Sequence, residues 1–154
     1  MPKYPAAHGV FPELPVFAMA VLSAGLGQLF CGIAMQSGLK SVGFARNALM
    51  EMGTSKVFRK VGSPGMAYAA GGAPFVHSLL FCVAYWALDC KPPVSPVLAA
   101  MVLWACGAFH GLVIDFCSIR YSFDVTLYFA FTTLINAVVM GAVVEYIYTT
   151  AHWA

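Results

Sequence analysis

The chain has 154 residues, of which 61% are hydrophobic and only 9% charged, with a formal net charge of +2. Soluble domains carry about a quarter charged residues to keep their surfaces wetted, so a water-soluble globule is excluded. A net charge of +2 is also far too small for a nucleic-acid-binding surface. Lipid is the remaining solvent.

Residues 14–39, 65–88, 92–114 and 125–144 are uncharged stretches of 26, 24, 23 and 20 residues. About 20 apolar residues in a helix cross the hydrocarbon of a bilayer. In lipid every backbone polar group needs an internal partner, so the choice is helices or a closed barrel. The alternation that marks barrel strands is missing. The expected fold is therefore all-α: a polytopic membrane protein, one four-transmembrane-helix bundle over residues 1–154, with spans near 12–38, 65–88, 95–116 and 124–148. The first stretch is too long for a secretory signal and has neither a basic leader nor a small-residue cleavage site.

Span one carries Ser23 and Gly27 four residues apart, and a glutamine, Gln28, inside its apolar run. After it comes the loop "KSVGFARNALMEMGTSKVFRKVG", with Lys40, Arg46, Lys56, Arg59 and Lys60 against one acid, Glu51. Arg120 lies in the turn between spans three and four, whereas only Lys3 and Lys91 fall on the other side. The positive-inside rule then puts both termini outside and loop 40–63 inside, in the cytoplasm or a mitochondrial matrix. Within that loop Val42, Phe44, Ala45, Ala48, Leu49 and Met52 recur at helical spacing among basic and polar residues. This predicts an amphipathic inner-side helix. It either lies on an anionic leaflet or serves, with its topology charges, as a docking surface for another subunit.

In span two, Ser63 precedes Pro64 as Ser95 precedes Pro96 in span three, the pattern of an N-cap followed by a proline in the first turn. Pro74, after two glycines, removes a helix hydrogen bond and should kink span two one turn before His77. Pro92 and Pro93 enforce a tight hairpin that makes spans two and three neighbours. Asp124 or Ser122 is placed to cap span four. Small residues four apart, Ser23/Gly27, Ala69/Ala73, Gly107/Gly111 and Ala137/Gly141, mark expected close helix contacts. Gln28 and Asn136 are expected hydrogen-bond links between helices. Tyr4, Phe11, Trp86, Tyr121, Tyr128, Tyr146, Tyr148 and Trp153 fall near the expected interfaces as an anchoring belt. The five cysteines form no CxxC pair, and no disulfide is expected.

Ionisable residues inside spans are functional candidates by default: His77, His110, Asp115 and Glu145. His77 precedes Asp89 by 12 residues and His110 follows Pro96 by 14, placing them about 18 and 21 Å from the same outer turn. Two histidines at one depth are the spacing an axial pair for haem b requires. The competing reading gives each imidazole a carbonyl or hydroxyl partner and no cofactor. A metal site from Cys106, His110 and Cys117 shares the helical offsets of four and seven. Asp115, near the inner interface, is expected to pair with Arg120. No nucleophile with its base and no phosphate-binding glycine loop is present.

Two stretches resemble known families. "FPELPVFAMAVLSAGLGQLFCGI" looks like the span of MLRQ-type small subunits of mitochondrial respiratory complexes. "FHGLVIDF" is similar to the histidine- and aspartate-bearing segments of succinate dehydrogenase membrane anchors, which implies haem b at His110 and a quinone pocket near Asp115 and Phe116. The expectation is a non-catalytic integral subunit of a hetero-oligomeric complex of the mitochondrial inner membrane, respiratory chain or ATP synthase, touching anionic phospholipid through Lys40, Arg46, Lys56, Arg59 and Lys60. Its membrane partners are other subunits. The alternatives are a haem b and quinone anchor using His77, His110 and Asp115, and a small independent transporter or membrane enzyme.

Overall fold

The computed structural model describes residues 13–56, 63–87, 95–119 and 121–150, and everything regular among them is helix. Helix α1 spans Leu14–Gly38, starts with Pro15 in its first turn and closes through a 3₁₀ turn at Leu39–Ser41. Helix α2 is Gly43–Thr54. Helix α3, Pro64–Ala67, runs through a π-helical turn at Tyr68–Gly72 into α4, Ala73–Ala87. Helix α5, Pro96–Leu103, a second π turn at Trp104–Phe109 and α6, His110–Ser118, form one continuous rod. Helix α7 is Phe123–Thr150.

Three of these rods are long and apolar enough to cross a bilayer: Leu14–Ser41, Pro96–Ser118 and Phe123–Thr150, with 28, 23 and 28 residues. They mark a membrane protein. Large apolar side chains such as Leu22, Phe30, Leu80, Val102 and Phe131 stand exposed on the outside, a surface suited to lipid tails and not to water. The second expected span differs from the other three. Its regular part, Ala73–Ala87, is a shorter apolar helix. Pro74 has no N–H to offer the preceding turn, and the glycine pair before it weakens helix packing, so the ladder widens to a π turn there.

Helices α1 and α7 form the central pair, α4 packs on α1, and α5 packs on α7. Three glycines set these approaches. A Cβ on Gly25 would enter the ring of Phe75 in α4, one on Gly27 would touch Val139 and Val143 of α7 at 3.4 Å, and one on Gly141 would lie 2.7 Å from Val97 Cα. Around Gly25 and Gly141 a shared core gathers Ala20, Ala24, Phe81, Cys82, Ala100, Ala137, Met140 and Val144. Close backbone approach is the main source of packing energy in lipid, and these positions carry it. Gly107 and Gly111 do not: nothing lies within 4 Å of a Cβ at either.

Spans two and three do not pack along their lengths as the proline hairpin suggested. Helices α4 and α5 meet only slightly: α4 packs on α1 and α5 on α7. The hairpin prolines themselves lie outside the described residues. At the end that holds Ser95, its hydroxyl accepts the Leu98 N–H at 3.2 Å with Pro96 in the first turn, the cap the sequence pattern anticipated. Trp86 Nε1 donates to the Tyr148 hydroxyl at 2.6 Å and ties α4 to the C-terminal end of α7. Asn136 links nothing: its Oδ1 is buried without a partner among the described residues.

Helix α2 turns its apolar face to its own chain. Ala45 and Ala48 are buried against Val125 and Tyr128, with Phe44, Leu49 and Met52 around them. Two polar contacts fix the register. Asn47 Nδ2 donates to Asp124 Oδ2 at 2.9 Å, and Glu51 Oε1 accepts the Ser122 backbone N–H at 2.9 Å. Asp124, in the first turn of α7, thus also holds α2, and Glu51 of α2 adds a second carboxylate at that end. A negative charge at a helix N-terminus is favourable because the first N–H groups lack intrahelical partners. Glu51→Ala is expected to loosen α2 by about 1 kcal/mol, measured as faster amide exchange over residues 44–52 with the three long helices unchanged.

Candidate functional site

The wedge between α4 and the α5 rod is an open cleft of about 310 Å³. His77, Leu80, Phe81 and Ala84 of α4 form one wall, and Ala100, Leu103, Trp104 and Ala108 form the other. Thr133, Ala137 and Met140 of α7 are its floor. The second π turn, Trp104–Phe109, supplies Trp104 and Ala108 to this cleft. Such turns recur at functional sites because they re-aim side chains without breaking the helix.

The polar groups along the walls are almost all engaged. Trp104 Nε1 donates to Thr133 Oγ1 at 3.0 Å, and the Thr133 hydroxyl donates back to the Phe129 carbonyl at 2.6 Å. Behind the α4 wall, Gln28 of α1 is buried. Its Nε2 donates to Ser78 Oγ at 2.7 Å and to the Pro74 carbonyl at 3.3 Å. Its Oε1 lies 3.1 Å from His77 Nδ1. Gln28 is therefore the expected interhelical link, and it also orients the imidazole. A glutamine within an apolar span was the signal for this. Its tie to His77 was not readable, because the two residues are 49 positions apart.

His110 is not part of the cleft. It opens α6, is exposed, and contributes nothing to the walls that hold His77. The cleft is lined by His77 and not by His110. Asp115 is exposed on α6. Partial burial and then the Asp115 carboxylate push the Tyr121 phenol above its ordinary pKa. This places Asp115 beside the turn that leads into α7. Its expected partner, Arg120, lies outside the described residues. Cys106 and Cys117 are exposed free thiols, and no group of three His, Cys, Asp or Glu side chains among the described residues could hold a metal ion. The helical offsets of Cys106, His110 and Cys117 therefore do not build a metal site.

The basic loop keeps a second, shallower feature. Lys40 and Arg46 border a wide groove of about 330 Å³ with Leu49 and Met50. Lys56 is exposed just past α2, and Arg59 and Lys60 lie outside the described residues. Two cations over apolar side chains form a surface suited to an anionic headgroup above its acyl chains. No family model, curated protein or solved structure matches the chain.

Proposed function

We propose that the chain is a non-catalytic integral subunit of a multi-subunit complex of the mitochondrial inner membrane, of the respiratory chain or ATP synthase, contributing to assembly, stability and lipid contacts. In this reading Pro64–Ala87 is a fourth crossing, the bundle has four spans, and both termini face the intermembrane space. Loop 40–63 faces the matrix, where Lys40 and Arg46 meet anionic phospholipid. The organelle rests on the likeness of residues 11–33 to MLRQ-type subunits, and the orientation on the basic bias of the inner loops.

The observation that carries the subunit reading is the outward side of the third rod. Gly107 and Gly111 have open space where a Cβ would be, and His110 stands exposed between them. An imidazole left in hydrocarbon is unfavourable without a partner. Glycines one turn apart let another helix come close enough to cover it. Among the described residues nothing covers that side.

Purification from native membranes in mild detergent tests this. Wild-type protein is expected to travel with stoichiometric membrane partners. Gly107→Leu combined with Gly111→Leu should reduce the recovered partners at least tenfold while leaving this chain's own fold intact, because no described atom lies within 4 Å of a Cβ at either position. Recovery of wild type as a free monomer at native abundance would defeat the reading.

A further inference from the structure

The cleft between α4 and the α5 rod has a defined hydrogen-bonding polarity, and it follows from the Gln28 amide. The Pro74 carbonyl can only accept, so the nitrogen end of Gln28 must face it and Ser78. That leaves the oxygen end for His77 Nδ1, 3.1 Å away. An oxygen acceptor there requires the proton on Nδ1. A second proton would put a cation in an apolar setting, so the ring is neutral and Nε2 holds a lone pair. The two ring nitrogens diverge, and Nε2 points away from Gln28, with no partner among the described residues. Trp104 and Thr133 already satisfy each other. His77 lines the cleft, so the side-chain atom it can offer a guest is an acceptor.

The walls specify the rest of the guest. Phe81 and Trp104 face the space across small alanines, a setting for a flat ring. A volume of about 310 Å³ is at the lower end of ligand pockets, enough for one substituted ring with its tail left in the bilayer through the open side. The geometry points to a lipid-soluble phenol, its ring against Trp104 and its hydroxyl donating to His77 Nε2. A methyl ether or a quinone carbonyl of the same shape has no proton to give and is disfavoured. The assignment does not depend on which complex, if any, holds the chain.

Binding of 4-nonylphenol and its methyl ether, 4-nonylanisole, to the full chain in phosphatidylcholine nanodiscs tests this, each corrected for partition into empty discs. Wild type is expected to prefer the phenol by about tenfold, the order of one hydrogen bond made away from water. His77→Phe should abolish the preference. Ala108→Phe, which fills the cleft and leaves the His77–Gln28 pair alone, should abolish binding of both compounds. Equal affinity of wild type for phenol and ether overturns the proposal without recourse to any variant. So does undiminished phenol binding in Ala108→Phe, or tighter binding of cholesterol at the same cleft. A Soret band in purified wild type that is lost in His77→Phe would assign Nε2 to iron and likewise overturn it.

Discussion

Gly141→Ala is expected to destabilise the bundle by about 2 kcal/mol. The new Cβ would lie 2.7 Å from Val97 Cα and 2.8 Å from the Pro96 carbonyl. Both are backbone atoms, and Pro96 is held at the start of α5 by the Ser95 cap. No side chain can swing away, so α5 must move off α7 as a unit and disturb Ala100, Ala137 and Met140 with it. Overpacking of this kind costs about 1–3 kcal/mol, offset by less than 1 kcal/mol of helix propensity gained over glycine. Gly27→Ala is the control. Its Cβ meets only side-chain methyl groups of Val139 and Val143 at 3.4 Å, and the change should be close to neutral. Titration with SDS in mixed micelles, followed by circular dichroism, separates the two. Equal midpoints for Gly141→Ala and wild type would show that α5 does not sit on α7 as described.

Gln28→Leu is expected to cost about 2 kcal/mol, although leucine nearly matches glutamine in volume. The loss comes from three partners at once: Ser78 Oγ, the Pro74 carbonyl and His77 Nδ1. Interhelical hydrogen bonds in membranes average about 0.6 kcal/mol each, and groups left buried without partners add to the penalty. Ser78→Ala removes one of the three and should cost about 0.6 kcal/mol. The double variant should lose less than the sum, because the Gln28–Ser78 bond is counted in both single changes. Strict additivity in the same SDS titration would mean that the glutamine does not bridge α1 and α4.

The helical fold was legible because charge and hydropathy are one-dimensional signals: an uncharged run of span length in lipid has few alternatives to helix. The Ser95–Pro96 cap and the apolar positions of α2 were legible for a similar reason, since each depends on residues within one turn or one helix. What α2 packs against was not. Ala45 and Ala48 find Val125 and Tyr128 some 80 positions later, and periodicity carries no information about the partner. The glycines show the same limit. Ala137/Gly141 and Gly107/Gly111 have identical spacing, yet one glycine lies against Val97 and the other pair against nothing. The histidines failed for a different reason. Depth is rise per residue, which the count of positions supplies, but azimuth is not. The π turn at Trp104–Phe109 inserts an extra residue into the rod and rotates everything after it by about 100° relative to a regular helix of 3.6 residues per turn. His110 is the first residue beyond that turn, so arithmetic on a regular helix cannot aim it.

The contacts of α7 have a consequence for biogenesis. Helices α1, α2 and α5 all pack on it, Glu51 reaches the N–H just before it, and Trp86 reaches Tyr148 near its end. It is also the last described helix to leave the ribosome. Until it enters the bilayer, α1 and α4 can pair through Gly25 and Gln28, but Gly27, Ala45 and Val97 have no surface to meet. A quality-control protease that samples the chain during translation therefore sees a partly assembled membrane intermediate for most of synthesis, and escape from degradation is timed by the arrival of residues 123–150.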